Sequence, residues 1–401
     1  MESKQRNLIV ILLGFMGFLT NGDMYSAAPM MINIAADLNI SVSNATLSMT
    51  AYMFAFGLFT IILGPLGDRY GRKNILIISS FSTAIFSCLS VLAFNLPVLI
   101  ILRFANGAFA AGIMPISMAI VGELYNDSDR QNAIAKLMGM MFLGGASGTI
   151  IGGALSYISS WRLVYLVYGI GELFLSFYIL KYLEKSPGTV ISLNYFKIYS
   201  QALSNKTLLV ILSVIMLVGF SVFGSFTFSG ELIKQVTDLN VLQIGLILSI
   251  FGISGIAGAR FVPKIRTFLG NSIVLGAGIL GSVSIFYLSI LNSISFLILA
   301  ISGYGITFIC IHSIFVVTAQ TTIPKIRGTI MSLVSFSVFV GSGFGTILYK
   351  QLMDSVGITS IFQIAAIIFL IVGILGYVIL NVCQNKIYNL KKRLGLYWYN
   401  K

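Results

Sequence analysis

Charged side chains make up only 9% of the 401 residues, where a soluble domain carries about 25%. With 57% of the chain hydrophobic and a mean hydropathy of +0.96, no soluble fold could hide the apolar surface, so a string of soluble domains is excluded. Cysteine is rare, and Cys88, Cys310 and Cys383 lack paired spacing, which argues against a disulfide framework and against a zinc site. Proline is held to seven residues while glycine reaches 40, a balance suited to membrane helices, where glycine permits close packing. No GxxxxGKS/T, HExxH or GxSxG segment occurs. ATP-driven pumping and intramembrane hydrolysis therefore lack their sequence marks. A channel lacks its filter loop.

What the chain has is apolar length. Twelve runs are long enough to cross ~30 Å of hydrocarbon, at 8–32, 45–65, 74–94, 97–122, 132–158, 162–183, 207–230, 241–262, 272–291, 294–320, 328–352 and 357–382. An all-α, multi-pass membrane protein of twelve transmembrane helices is expected. The net charge of +13 would suit a nucleic-acid partner, but its distribution explains it otherwise. With the N-terminus in the cytoplasm, every Lys and Arg except Arg103, Arg162, Lys234 and Lys350 falls on the inner side, as the positive-inside rule requires. Both termini are therefore expected in the cytoplasm, and no nucleic acid is expected as a partner. Lys4 and Arg6 before Leu8 imitate a cleaved signal peptide. The run is long for a signal core, and the internal repeat needs a first helix, so the helix is expected to be retained.

The longest polar break, Lys181 to Lys206, separates six runs from six. Shifting the chain by 197 residues superposes Arg130, Phe142, Gly144, Gly148, Thr149 and Ile150 on Arg327, Phe339, Gly341, Gly345, Thr346 and Ile347. The expected organisation is a six-helix half at 1–183, a cytoplasmic linker at 184–206, and a second six-helix half with a short cytoplasmic tail at 207–401. Parallel halves are the trace of a rocking transporter with its site between them.

After span 2 the chain reads Gly64-Pro-Leu-Gly67-Asp68-Arg69-Tyr70-Gly71-Arg72-Lys73. This resembles the signature loop of the major facilitator superfamily. Span 4 opens with Leu102-Arg103-Phe104-Ala105-Asn106-Gly107, similar to the family pattern in which an intramembrane arginine precedes a glycine by four. Span 5 carries Gly144, Gly148, Gly152 and Gly153, resembling the antiporter motif of proton-driven drug exporters, with Thr149 where the family has proline. The same glycines also suit plain close packing with a neighbouring helix. In the second half, Arg260-Phe-Val-Pro263-Lys264-Ile-Arg266 reads as a degraded copy of the signature loop after span 8. The resemblance implies the twelve-helix major facilitator fold in two pseudo-symmetric halves, a monomer, and a central cavity lined by spans 1, 4, 7 and 10.

Charges inside a bilayer are expensive, so those present are candidates for function. At ~1.5 Å per helical residue, Asp23 on span 1 and Arg103 on span 4 share a depth, and Asp23 is the expected proton-titrating group, with cargo competing for Arg103. A static structural pair is the alternative. Glu172 falls near the midplane of span 6, a peripheral position in the family, as a packing residue or a second proton site. His312, the only histidine, is either a coupling residue or structural. Tyr25, Tyr52, Met114, Tyr304 and the ladder Phe220, Phe223, Phe226 are candidate cavity walls beside Arg103, since rings and thioethers fit cargo of varied shape. Gly64, Asp68, Arg69, Gly71, Arg72 and Lys73, with Glu123 at the inner end of span 4, are the expected inner gate.

The expected activity is secondary active transport in the cell membrane: proton-coupled export of a small organic molecule by alternating access, with no cofactor and no metal. Export of the cell's own sugar or anionic chelating metabolite, and import, are the alternatives.

Overall fold

The computed structural model describes residues 3–125, 127–184, 195–290, 293–323 and 326–393. It comprises, in order, α1 (Ser3–Asp37), α2 (Val42–Tyr70), α3 (Arg72–Ser90), α4 (Leu96–Ala110), α5 (Ile113–Leu124), α6 (Asp127–Ile158) and α7 (Trp161–Tyr182). The short α8 (Tyr195–Leu203) follows in the connection. Then come α9 (Lys206–Phe226), α10 (Ser229–Val236), α11 (Val241–Leu269), α12 (Ser272–Leu288), α13 (Ile294–Thr322), α14 (Arg327–Ser355) and α15 (Ile358–Arg393). Among the described residues, eleven spans are long and apolar enough to cross a membrane, with α4–α5 and α9–α10 each counting as one broken span. The shorter apolar α12 fills the ninth place. The linker residues 185–194, Lys325 and the tail from 394 lie outside the described residues.

Local chemistry sets the helix ends. Ser41, Asn95 and Asn205 each accept a backbone N–H at a helix start, and Asn240 with Gln243 forms a reciprocal capping box. Each satisfies donors that the first turn leaves open. The signature segment departs from the expected loop. Helix α2 continues to Tyr70 and α3 begins at Arg72, so Gly64, Asp68 and Arg69 lie on a helix. Gly71, at φ 93°, makes the whole turn, a conformation that side chains with a Cβ avoid. The degraded copy is likewise inside α11, which ends instead at Gly270.

The two halves repeat one pairing scheme. In the first, α1 packs on α6, α2 on α4 and α3 on α7; in the second, α9 packs on α14, α11 on α13 and α12 on α15. Glycines at matched positions make the first of these contacts possible. A Cβ on Gly144 would stand 2.1 Å from the Phe18 carbonyl, and one on Gly341 2.2 Å from that of Met216. Gly148 on Gly22 and Gly345 on Phe220 repeat the pattern one turn on. Backbone so close leaves no room for a side chain.

The halves meet along α2–α14 and α6–α11. Two faces can be named from chain positions. The linker face gathers residues 5–7, the α2–α3 turn, and the ends of α5 and α7, where Arg6 Nη1 donates to the Leu124 carbonyl and Tyr125 to Asn7. At the opposite face the halves touch again, where Gly230 of α10 lies against the Ala28 carbonyl of α1.

Candidate functional site

The first half encloses an ion pair. Gly107 brings α4 onto α2 so closely that a Cβ would sit 2.3 Å from the Tyr52 carbonyl. One turn earlier on α4, Arg103 then reaches α1, and its Nη1 lies 3.2 and 3.1 Å from the two Asp23 oxygens. Both side chains are 1% exposed. The guanidinium is held between the rings of Tyr52, at 4.7 Å, and Tyr165, at 4.4 Å, an arrangement that stabilises a desolvated cation. Ser87 Oγ lies 3.3 Å from Asp23 Oδ2 and 3.0 Å from the Tyr165 carbonyl, sharing one proton between them. The shared depth inferred from the sequence is thus a direct contact.

The helix of Glu172, α7, is an outer one, exposing Ile170, Phe174 and Phe177, yet it packs its other face on α1 and α3, and there the Glu172 side chain is 0% exposed. The close approach has a cause, since Gly22 of α1 receives the Tyr168 ring and Gly169 receives Cys88 of α3. Thr20 approaches Glu172, but its hydroxyl donates to the Met16 carbonyl at 2.9 Å, and neither Glu172 oxygen has a hydrogen-bond partner among the described residues. The hydroxyls of Tyr52, Tyr165 and Tyr168 are similarly buried without partners. A buried carboxyl so placed is costly if ionised, so this pocket of the first half holds more polar capacity than its packing satisfies.

From Tyr52 a chain of rings leads across the seam. Tyr52 and Phe56 are 6.2 Å apart, Phe56 and Phe339 of α14 4.4 Å, and Phe339 and Phe223 of α9 6.5 Å. Phe223 meets Tyr25 at 5.9 Å and Phe308 at 5.0 Å, and Phe308 stacks on His312 at 5.3 Å. Phe226 joins through Phe251 at 4.7 Å. Tyr25, Tyr52, Phe223, Phe226 and His312 therefore fall into one assembly. Phe56, Phe251, Phe308 and Phe339 were missed; among 30 phenylalanines no sequence signal sets the first three apart, and Phe339 carries only its repeat match to Phe142. Phe220 turns instead to Tyr349. Met114 packs in the linker-face cluster of the first half, with Tyr52 and Phe56. Tyr304 also joins the assembly through Phe251, at 5.2 Å, while its hydroxyl, 2.6 Å from the Val222 carbonyl and 2.9 Å from Ser225 Oγ, anchors the end of α9.

At the linker face Arg72 collects the expected acids, with Nη2 2.9 Å from Asp68 and Nη1 2.6 Å from Glu123. Lys73 donates to the Leu180 carbonyl at 3.0 Å and to that of Leu183, and Arg69 lies over Tyr70. All of these partners belong to the first half. Gly64 faces the second half, with Ser332 Oγ 3.5 Å from where its Cβ would be. On α6, Gly144, Gly148 and Gly152 face α1, and Gly153 faces α11 at the Val241 carbonyl. The opposite face carries a clasp not foreseen: Arg162 pairs with Asp37 and donates to the carbonyls of Val91 (3.0 Å) and Ala93 (2.9 Å), while Trp161 also donates to Asp37.

A transporter of Buchnera aphidicola is 26% identical over 86% of this chain and 85% of its own length, and the MFS-type transporter YceJ of Bacillus subtilis is 26% identical over 82% and 85%. The quinolone resistance protein NorB of Staphylococcus aureus is 26% identical over 72% and 65%. Among solved structures, a bacterial homolog of the human lysosomal transporter Spinster superposes with a TM-score of 0.76 at 14% identity, covering 95% of this chain and 98% of that one. The nucleoside transporter NupG gives 0.75 at 16%, covering 93% and 99%. The family model of the Major Facilitator Superfamily matches residues 13–346. With that match across the repeated halves and their shared seam, the chain belongs to the Major Facilitator Superfamily, and it is a transporter rather than an enzyme.

Proposed function

We propose that the protein exports a small organic molecule in exchange for protons, with Asp23 as the titrating group. The observation that carries this reading is the Asp23–Arg103 pair, buried beside Glu172, whose carboxyl has no hydrogen-bond partner among the described residues, and joined by rings to the seam between the halves. A proton arriving on Asp23 cancels its attraction for Arg103, and cargo whose hydrogen-bond donors take the Asp23 carboxylate from Arg103 holds that carboxylate ionised and excludes the proton. Proton and cargo therefore compete, which is what exchange requires. Glu172 is a second acceptor within the same half. His312 stands at the far end of the ring chain, where it takes part in coupling or in seating cargo.

Tyr25, Tyr52, Phe223 and Phe226 supply flat apolar walls, which favour an organic cargo with an aromatic or amphipathic face. The likeness to NorB, named for quinolone resistance, agrees with export. The linker-face set of Gly64, Asp68, Arg69, Gly71, Arg72, Lys73 and Glu123 acts as a gate by holding that end of the first half as one piece. The basic residues gathered at the linker face support a cytoplasmic side for it and for both termini. The protein works as a monomer.

The test is substrate-driven proton movement in liposomes containing the pure protein, screened over lipophilic drugs, sugars and anionic chelators. Saturable flux driven by a proton gradient supports the reading; flux of the same compounds that ignores the gradient overturns it.

A further inference from the structure

Helix α2 contains Pro65 and yet stays helical to Tyr70. Proline has no N–H, so the carbonyl four residues back, that of Ile61, loses its intrahelical donor. A carbonyl left open at this depth is costly, because lipid and packed helices offer no replacement. The replacement comes from outside the helix. Tyr199 of α8 donates its hydroxyl to the Ile61 carbonyl at 2.8 Å.

The donor's position makes this more than a repair. α8 belongs to the connection between the halves, runs directly into α9, and packs on both α9 and α14 of the second half. Ala202, one turn beyond Tyr199, is fully buried, and Tyr199 itself packs on the main apolar cluster. Ile61 belongs to α2 of the first half, about 14 Å from the helix end at Tyr70 at 1.5 Å per residue. The bond thus crosses from the second half's side of the seam to the first, and it sits on the α2–α14 contact that must change when halves rock.

We infer that Tyr199 is a conformational latch: a positioning residue whose hydroxyl satisfies the carbonyl exposed by Pro65 only while α8 is seated on α2. In that arrangement the halves meet at the opposite face, through Gly230 and Ala28. When the linker-face end of α2 moves away from α8 and α14, the Ile61 carbonyl loses its donor. The bond differs between states, so it biases their equilibrium. Pro65 creates the need and Tyr199 meets it, which makes the two residues energetically one unit.

The experiment is a double-mutant cycle on the full-length protein in liposomes, read by double electron–electron resonance between labels at Asn74 on α3 and Lys264 on α11, both exposed. Tyr199→Phe keeps the ring and removes the donor. It should shift the ratio of the two distance populations about threefold to tenfold away from the seated state, the worth of one hydrogen bond. Pro65→Ala returns an N–H to the helix, and in that background Tyr199→Phe should leave the ratio unchanged. Equal shifts in both backgrounds, or none in either, overturn the latch. A lowered thermal midpoint for Tyr199→Phe with unchanged distances marks a static brace and also overturns it. If Pro65→Ala fails to insert, Tyr199→Phe alone decides on the same criterion. None of these readouts depends on the cargo or on protons, so failure here is distinguishable from failure of the export reading.

Discussion

Replacing Asp23 by Asn keeps the shape of the buried pair and removes its negative charge. Arg103 is then left as an uncompensated cation at a site 1% exposed, where solvent offers almost no screening. Breaking a buried pair by removing one partner costs about 3–5 kcal/mol. Here the Tyr52 and Tyr165 rings, 4.7 and 4.4 Å from the guanidinium, retain about 1–2 kcal/mol of stabilisation for the cation. That places the loss near the lower limit, ~3 kcal/mol, or about two orders of magnitude in the folding equilibrium. Asp23→Asn combined with Arg103→Met removes the stranded charge and should recover most of the stability, because swapping a whole buried pair for apolar groups is close to neutral. Transport should not recover with it. Both variants should fail to drive uphill flux, while Asp23→Asn should still exchange pre-loaded substrate in part, since an amide cannot titrate. Thermal unfolding in detergent and gradient-driven flux in liposomes read the two effects separately. A single mutant as stable as the parent would refute the electrostatic account, and a double mutant that pumps uphill would refute Asp23 as the coupling group.

Gly144→Ala and Gly341→Ala should destabilise to similar degrees, since each Cβ would stand within about 2.2 Å of a carbonyl on the neighbouring helix and neither backbone can yield cheaply; unequal midpoints would show that the pseudo-symmetric contacts are not equivalent. Glu172→Gln should leave the thermal midpoint near the parent's, because neither carboxyl oxygen carries a hydrogen bond to lose, yet impair uphill flux; normal pumping would remove Glu172 from the coupling group. Asp68→Asn and Glu123→Gln each free Arg72 from a partner that is nearly half exposed, so each should shift the balance of states by ~1 kcal/mol or less. Unchanged label distances with normal transport would leave bracing of the first half as the network's sole role.

The sequence made some of this legible because membrane physics is simple. Apolar length and the side on which basic residues fall mark the spans, and depth arithmetic brings Asp23 and Arg103 to one level before any contact is seen. Glu172 was legible as a costly residue but not as a neighbour of Asp23, because its approach depends on Gly22 and Gly169 admitting Tyr168 and Cys88, a three-helix fit without periodicity. The signature segment was visible as a motif and misjudged as a loop, since one glycine at φ 93° can turn the chain that ten residues suggested. Phe56, Phe251 and Phe308 were invisible for a different reason: a ring facing the seam and a ring facing lipid obey the same pattern, and the repeat match that marks Phe339 says nothing of which way its ring faces. Tyr199 needed the fold outright, because only packing shows that its hydroxyl meets the carbonyl Pro65 leaves open.

The backbone repeats, but the chemistry does not. The acids of the second half are Glu231, Asp238 and Asp354, and all lie on α10, just after it, or at the end of α14, toward the opposite face. Its buried polar centre is instead the Tyr304–Ser225–Val222 cluster, hydroxyls bonded to helix backbone. The first half holds Asp23, Arg103 and Glu172 at the equivalent depth. A duplicated frame has thus been divided, with ionisable groups on one side of the seam and rings with a lone imidazole on the other. If Asp23 is the coupling group as proposed, protonation changes the energy of the first half's side of the seam, while the second half offers a surface of nearly constant charge. The halves can then be driven by a single titrating unit without the repulsion that two facing carboxylates would bring. The ring chain from Tyr52 to His312 is a continuous contact from that unit into the other half, joined by Tyr25 of α1 through Phe223.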